Sequence, residues 1–439
     1  MSAADALLPA RDTIFARSSG AGRAGVAVFR ISGPRAGEVL DAFCGGRGQA
    51  RRARLARVTL PDGSLLDHGL ALWFPGPASF TGEDVAELHL HGSPAVERAF
   101  TDAMLDFGLA PATAGAFTMR AFAAGKLDLA QAEGLGDLLT AETEAQRRQA
   151  LGQLGGAISA RAEDWRAAIL SALAALEAAV DFPDEDDVPD GVASQALAPL
   201  RALHADMRAA IAGADGAARI REGATIVITG PPNAGKSSLL NRLAGSERAI
   251  VSDEAGTTRD VLEVRMSLGG QLVTLIDTAG LREESEAGAI ERDGIARARR
   301  AAETADLCLE VRDGREVDRT AEAGGSAIWI ANKADLTDEP VPDGWLAVSA
   351  VTGWGVDALL DRMTARIVMS GEGVLTRGRH VALVRRAAGQ VETVMASAMP
   401  PEIAAEALRI ALRDLEELTG RIAPDDVLGE VFAGFCIGK

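Results

Sequence analysis

The chain has 439 residues, more than one hydrophobic core usually supports, so two or three domains are expected. Hydrophobic residues make up 47% and charged residues 25%, as in ordinary globular proteins, and no apolar run approaches the roughly 20 residues of a membrane span. A formal net charge of −18 argues against sequence-blind binding of nucleic acid over the whole surface. That charge is uneven, because residues 1–126 carry 13 Lys+Arg against 12 Asp+Glu, whereas the remainder carries 32 against 51. The three cysteines (Cys44, Cys308, Cys436) are widely spaced, so neither a disulfide framework nor a zinc site is expected. With an N-terminus that lacks the basic-then-apolar order of a secretion signal, the expected compartment is the reducing cytoplasm, with no membrane attachment.

In chain order, GVAVFRISG and LLDHGLALWFPG predict strands, and EDVAELHLHGSPAVERAF predicts a strand entering a helix. Between them, RGQARRARLAR places five arginines from Arg47 to Arg57; it is expected to be a solvated loop, with a weak RNA-facing patch as the alternative. His89 and His91 in LHLHG are expected to be structural, on opposite faces of their strand. From about Leu127 the pattern turns Ala/Leu-rich with helical spacing, as in WRAAILSALAALEAAV. An acidic break, DFPDEDDVPD, follows, and helix resumes to about Arg221. After an α/β segment, amphipathic helix returns from about His380 through EIAAEALRIALRDLEELTG. Helix on both sides of a complete α/β unit predicts an insertion, with the two flanks packing into one bundle.

Residues 225–230, TIVITG, predict a buried parallel strand, and GPPNAGKS after it fits G-x-x-x-x-G-K-[ST] before a helical SSLLNRLAG. Gly230 and Gly235 let backbone N–H groups turn inward onto phosphate oxygens. Lys236 is expected to reach the β- and γ-phosphates and the Ser237 hydroxyl to bind Mg²⁺. LVTLIDTAG predicts a second strand ending in Asp277-Thr-Ala-Gly280, which can hold Mg²⁺ through water and sense a γ-phosphate. AIWIANKAD predicts a third, ending in Asn332-Lys333-Ala334-Asp335, where the Asp335 carboxylate can accept two guanine N–H groups that adenine does not offer. Ser349 and Ala350 sit where a backbone contact to guanine O6 would follow. Together these motifs resemble the translation-factor-related class of GTPases. Only four of the 45 basic residues are lysines (Lys126, Lys236, Lys333, Lys439), and two lie in these motifs.

The hydrolytic machinery departs from the Ras pattern, since Leu281 follows DTAG where a water-orienting Gln would stand. Asn233 adds an uncharged oxygen beside the phosphates, and SDEAGTTRD, residues 252–260, offers Thr258 as a second Mg²⁺ ligand. Asn233 with backbone carbonyls of such a loop can hold a monovalent cation against the phosphates, or Asn233 can simply cap the turn.

The terminal FCIGK, with NAGKS, AGTTRD, DTAGLRE, GRAGVAVFRISG, ALWFPGPASFTGEDVAEL, AGKLDLAQAEGL and DFPDED, closely resembles the tRNA-modification GTPase family of MnmE (TrmE) along the whole chain. The resemblance implies a multidomain α/β plus α protein: an N-terminal folate-binding and dimerisation domain (1–126), helical parts at 127–222 and 371–439, and an inserted P-loop GTPase domain with a doubly wound sheet (223–370). It implies a homodimer that joins an FAD-dependent partner, MnmG, in a heterotetramer. With a tetrahydrofolate derivative (5,10-methylene or 5-formyl), the pair would add an aminomethyl-type group, or carboxymethylaminomethyl, at C5 of the wobble uridine of certain tRNAs. Implied folate contacts fall on Arg30, Glu87, Lys126 and Lys439, although Arg30 and Glu87 could equally form an ion pair at a strand edge. Implied nucleotide contacts fall on Asn233, Ala234, Gly235, Lys236, Ser237 and Ser238, then on Ser252, Asp253, Glu254, Ala255, Gly256, Thr257 and Thr258. They continue through Asp277, Thr278, Ala279 and Gly280, then Asn332, Lys333, Ala334 and Asp335, and finally Ser349, Ala350 and Val351. K⁺ would bind through Asn233, Ser252, Glu254 and Thr257, and Mg²⁺ through Ser237 and Thr258. The water-positioning group would be Glu291, with Glu286 as the alternative register. Cys436 is either a nucleophile or redox group, or a small buried side chain. Two other readings stay open: a signalling or ribosome-assembly GTPase, and a folate-dependent transferase with a vestigial GTPase.

Overall fold

The computed structural model describes residues 12–181, 192–250, 263–277, 305–318, 327–367, 373–396, 399–422 and 424–438. These form two compact units, each assembled from separate stretches of chain.

The first unit holds a six-stranded sheet: β1 (Ile14–Arg17), β2 (Ala24–Ser32), β3 (Arg54–Thr59), β4 (Leu65–Phe74), β5 (Val85–Gly92) and β6 (Ala110–Pro111), in the order β3-β4-β5-β2-β1-β6. All neighbours are antiparallel except β1 and β6. The period of two is plain in β2 and β5, where Ala27, Phe29 and Ile31 with Ala86, Leu88 and Leu90 are buried. Helices Ala36–Cys44 and Pro94–Asp106 cover that face, and the Phe29 and Phe100 rings meet at 4.4 Å. Ser93 starts the second helix by accepting from the Val96 N–H, with Pro94 in the first turn. His89 and His91 share the opposite face of the sheet instead of facing opposite ways, because residues two apart on a strand point to the same side. His89 lies 3.4 Å from Glu87, and His91 lies 2.8 Å from Asp67.

The arginine run is only in part a solvated loop. Arg47 pairs with Asp41 and lies over the Trp73 ring, and Arg54 is half-buried and donates to the Cys44 and Gly46 carbonyls.

The helical part of this unit joins stretches from both ends of the sequence. Helix Ala157–Asp181 packs against helix Pro401–Thr419, whose Ala404, Leu408, Ala411, Leu415 and Leu418 recur on one face and are buried. Arg409–Glu177 and Arg421–Glu163 pairs at 2.7 and 2.8 Å border that seam. Helix from before the α/β segment and helix from after it therefore share one packed seam.

The second unit contains β7 (Ala224–Thr229), β8 (Glu263–Leu268), β9 (Gln271–Asp277), β10 (Leu307–Asp313), β11 (Ile328–Asn332) and β12 (Leu346–Ala347), ordered β12-β11-β10-β7-β9-β8. Every pairing is parallel except the β8–β9 hairpin. Helices Lys236–Ala244 and Val356–Ile367 bury Leu239, Leu240, Leu243, Leu359 and Met363 against Ile226, Ile228, Val311 and Ile330. This is the doubly wound arrangement, with β7 inside the sheet between β10 and β9. The segment's two ends lie together: Arg221 Nε donates to the Thr376 carbonyl at 3.0 Å, and Gly213 and Gly373 approach too closely for a side chain on Gly373.

Candidate functional site

The loop after β7 turns because two of its residues have backbones that only glycine adopts readily. Gly230 has φ +139° and Gly235 φ +89°, and a Cβ on either would fall inside 3.0 Å of Val311 O or Asn332 Nδ2. Gly235 precedes the helix Lys236–Ala244, so the first N–H groups of that helix and its positive dipole end face the loop. The buried Lys236 ammonium donates to the Gly230 and Pro231 carbonyls at 3.1 and 2.9 Å, which curls it over the loop. Ser237 Oγ donates to Asp277 Oδ2 at 2.7 Å, bringing a hydroxyl from one motif to a buried carboxylate from another. Two oxygen donors this close have the chemistry that a hard divalent cation such as Mg²⁺ takes. Asn233 and Ser238 are both exposed at the loop.

Asn332 ties this loop to the guanine motif. It is 1% exposed; its Nδ2 donates to the Ala234 carbonyl at 2.9 Å and its Oδ1 accepts from the Ala350 N–H at 3.1 Å. Lys333, with φ +61°, donates to the Asn233 carbonyl at 2.7 Å and to Asp313 Oδ2 at 2.8 Å. The Arg315 guanidinium, and then Lys333, hold the Asp313 carboxyl well below the usual carboxylate range. Ala334 N–H donates to the Val348 carbonyl at 3.1 Å, and Asp335 is exposed. Ser349 closes a tight turn, its N–H bonded to Trp354 O and its Oγ to the Thr352 N–H. Arg242 donates to the carbonyls of Ala350 and Val351, and the Val351 side chain is exposed. A cavity of about 730 Å³ opens beside Asp335, and no residue of the phosphate loop lines it. The described residues expected to contact nucleotide are thus brought to one end of the sheet. Ser252, Asp253, Glu254, Ala255, Gly256, Thr257, Thr258, Thr278, Ala279, Gly280, Glu286 and Glu291 lie outside the described residues.

In the first unit, Arg30 and Glu87 sit directly opposite each other on β2 and β5. Their side chains meet at 2.8 and 2.9 Å, and Arg30 lies 5.5 and 5.7 Å from the Phe80 and Phe117 rings. β2 and β5 are inner strands, so this pair is not at a strand edge. Lys126 is exposed, with its stem beside Gly82 in the loop that carries Phe80. Ile437 bridges to Ala114, and the Gly438 carbonyl accepts from Ser18 Oγ at 2.9 Å, which sets the chain's last turn on the end of β1. Cys436 is exposed there, which removes the alternative of a small buried side chain; Lys439 lies outside the described residues. Sequence reasoning missed a polar cluster in which buried Arg120 donates to Glu83 Oε2 at 2.7 Å and buried Ser32 Oγ bonds both Glu83 and Thr81. It also missed Asp313, which no motif marks.

Two family models match this chain. "GTP-binding protein TrmE N-terminus" covers residues 13–126 and "MnmE helical domain" covers residues 129–436. The "tRNA modification GTPase MnmE" of Methylorubrum populi is 47% identical over 449 residues, spanning 99% of this chain and all of that protein. The protein of the same name from Parvibaculum lavamentivorans is 48% identical over 441 residues, spanning 98% of this chain and all of its own length.

Proposed function

The chain belongs to the family of tRNA modification GTPases represented by MnmE, a GTP hydrolase acting in tRNA modification, and from that premise we propose the finer chemistry of its sites. GTP binds at the end of the β7 sheet, with phosphates on the loop from Gly230 to Ser237 and guanine between Asn332–Asp335 and Ser349–Val351. Asn332 carries this reading, because one buried amide joins phosphate loop, guanine motif and the Ala350 turn. When bound, Mg²⁺ supplies positive charge at the phosphate oxygens; Ser237 and Asp277 would hold it, with Thr258. Lys236 exchanges its loop carbonyls for phosphate oxygens as nucleotide enters. Asp335 accepts the guanine N–H pair and Ala350 fixes the O6 side.

The activity is potassium-dependent in this proposal. Asn233 stands exposed at the loop in a left-handed conformation, which supports a role for its amide oxygen as a K⁺ donor beside the phosphates, with Ser252, Glu254 and Thr257. Hydrolysis uses Glu291, or Glu286, to position water.

The Arg30–Glu87 pair, with Lys126 and Lys439, binds a tetrahydrofolate. Glu87 suits pterin N–H donors and the cations suit its carboxylates. Cys436 lies at the same docked tail and takes part in the modification chemistry. Working with an FAD-dependent partner, MnmG, the protein transfers the one-carbon unit to C5 of a wobble uridine. Val26, Leu55 and Leu70 are exposed on the sheet of the first unit, which supports dimerisation through residues 1–126. Residues 127–222 and 371–439 form the helical domain around the inserted GTPase, residues 223–370. No described helix is long and apolar enough to cross a membrane, and cytoplasmic residence fits the tRNA substrate. The test is nucleoside analysis of tRNA from cells lacking the protein: wobble uridines should lose their C5 substituent, and full modification would overturn the proposal.

A further inference from the structure

We propose that Asp313 is a positioning residue for nucleotide recognition, acting through Lys333 to lock the guanine motif onto the phosphate loop. This rests on reading Asn332–Asp335 as the guanine motif.

Among the described residues, three that are not glycine have positive φ: Arg51, Asn233 and Lys333. Two of the three are bonded to each other, since the Lys333 ammonium donates to the Asn233 carbonyl at 2.7 Å. Such backbones persist only where their surroundings hold them, and they gather at ligand sites. The holding group at Lys333 is Asp313, whose Oδ2 accepts from the same ammonium at 2.8 Å. Its side chain is 7% exposed, against 26% for Lys333.

The carboxylate is itself fixed. Asp313 ends β10 opposite Asn332, and the next residue, Gly314, donates its N–H to the Asn332 carbonyl at 2.7 Å. Asp313 Oδ1 accepts from the N–H and Nε of Arg315 at 3.1 and 3.0 Å. Its Oδ2 also accepts from Arg315 Nη2 at 2.7 Å, and it is this fixed oxygen that Lys333 meets. Without that anion, a half-buried ammonium loses its counter-ion and is drawn towards water. The Asn233 carbonyl then loses its donor, and two left-handed residues on facing loops lose the bond that joins them.

The experiment is titration of the full-length protein with a fluorescent GDP analogue, in potassium and magnesium buffer, across a double-mutant cycle. Asp313→Asn should weaken binding by about ten- to a hundredfold, as expected when one partner of a desolvated charge pair is removed. Lys333→Met should weaken it at least as much. The double variant should then bind within about twofold of Lys333→Met, because the two act as one unit. Additive losses, or unchanged affinity in Asp313→Asn, would overturn the proposal. Arg315→Ala removes two side-chain bonds but keeps the backbone N–H bond to Oδ1 and the anion itself, so it should lose less affinity than Asp313→Asn; a loss equal to that of Asp313→Asn overturns the proposal. Should Asp313→Asn not fold, Asp313→Glu serves instead, since it keeps the anion and should bind more tightly than Lys333→Met, and an equal loss refutes the idea. The underlying reading has its own control. Asp335→Asn exchanges an acceptor for a donor and should shift preference from guanine to xanthine nucleotides. No shift removes the guanine motif; a shift with a silent Asp313 removes only this inference.

Discussion

Gly235→Ala should break the site and destabilise its unit together. The backbone at 235 has φ +89°, a region that costs an alanine about 1–2 kcal/mol. The added Cβ would also fall inside 3.0 Å of Asn332 Nδ2. Asn332 is 1% exposed and cannot retreat into water, so its bonds to Ala234 O and the Ala350 N–H must lengthen or break. Two net hydrogen bonds are worth about 1 kcal/mol each, and more where a buried group is left unpaired. The sum is about 3–5 kcal/mol, a large part of the roughly 5–15 kcal/mol of a whole domain. Thermal unfolding of the nucleotide-free protein should therefore show the affected transition lowered by about 10 °C or more. GDP affinity should fall in parallel, because Asn332 holds both the phosphate loop and the Ala350 turn. Gly389→Ala is the control: Gly389 lies within helix Gly378–Ala396 with open space around it, so alanine should be neutral or stabilise by up to about 1 kcal/mol. A Gly235→Ala protein that melts and binds like the control would refute the reasoning.

Hydrolysis should be faster in potassium than in sodium, and Asn233→Ala should abolish the difference; equal parent rates in the two salts would remove the cation site. Glu291→Ala should slow turnover by at least about tenfold with GDP affinity intact, and unchanged turnover would move the role to Glu286. Burial pushes the Cys44 thiol up to about 11, so near pH 8 its thiolate fraction is about a hundredfold below that of an ordinary thiol. Iodoacetamide at that pH should label the exposed Cys436 and spare Cys44, as peptide mapping would show, and equal labelling would contradict the burial of Cys44. Since the thiol rises on folding, its contribution to stability is full below about pH 9 and lost as pH climbs to about 11.

Motifs at the ends of apolar strands were legible because each strand is buried on both faces and stops at or beside a motif residue, with Gly230 after β7, Asp277 in β9 and Asn332 in β11. The helical flanks were legible by period. β10, LCLEVRD, was not foreseen, because alternating Cys308, Glu310 and Arg312 dilute its apolar signal. The site's internal bonds were not legible either. Asn332 and Ala234 are 98 residues apart, and only the parallel stacking of β7, β10 and β11 brings their loops together. The Arg30–Glu87 pair likewise needed the β2–β5 register, 57 residues apart in sequence.

The same register argument fixes the described strand ends that border the two stretches expected to switch. β8 runs antiparallel to β9, with Glu263 opposite Ile276, so the start of β8 and the end of β9 lie at the same end of the sheet. That end is the one where Ser237 bonds Asp277 and where Lys236 lies over its loop. The described loop side chains are Asn233, Lys236 and Ser237, none of which can take a proton from water while it serves a phosphate or cation. On the proposed reading the water-positioning group is Glu291 or Glu286, both outside the described residues. A cation at Asn233 would offset phosphate repulsion and, on the proposed ligand set, would be shared with Ser252, Glu254 and Thr257. On that arrangement, loss of potassium and loss of the positioning glutamate should slow hydrolysis through one shared step. Asn233→Ala combined with Glu291→Ala should then be little slower than the worse single variant, whereas multiplicative losses would separate the two roles.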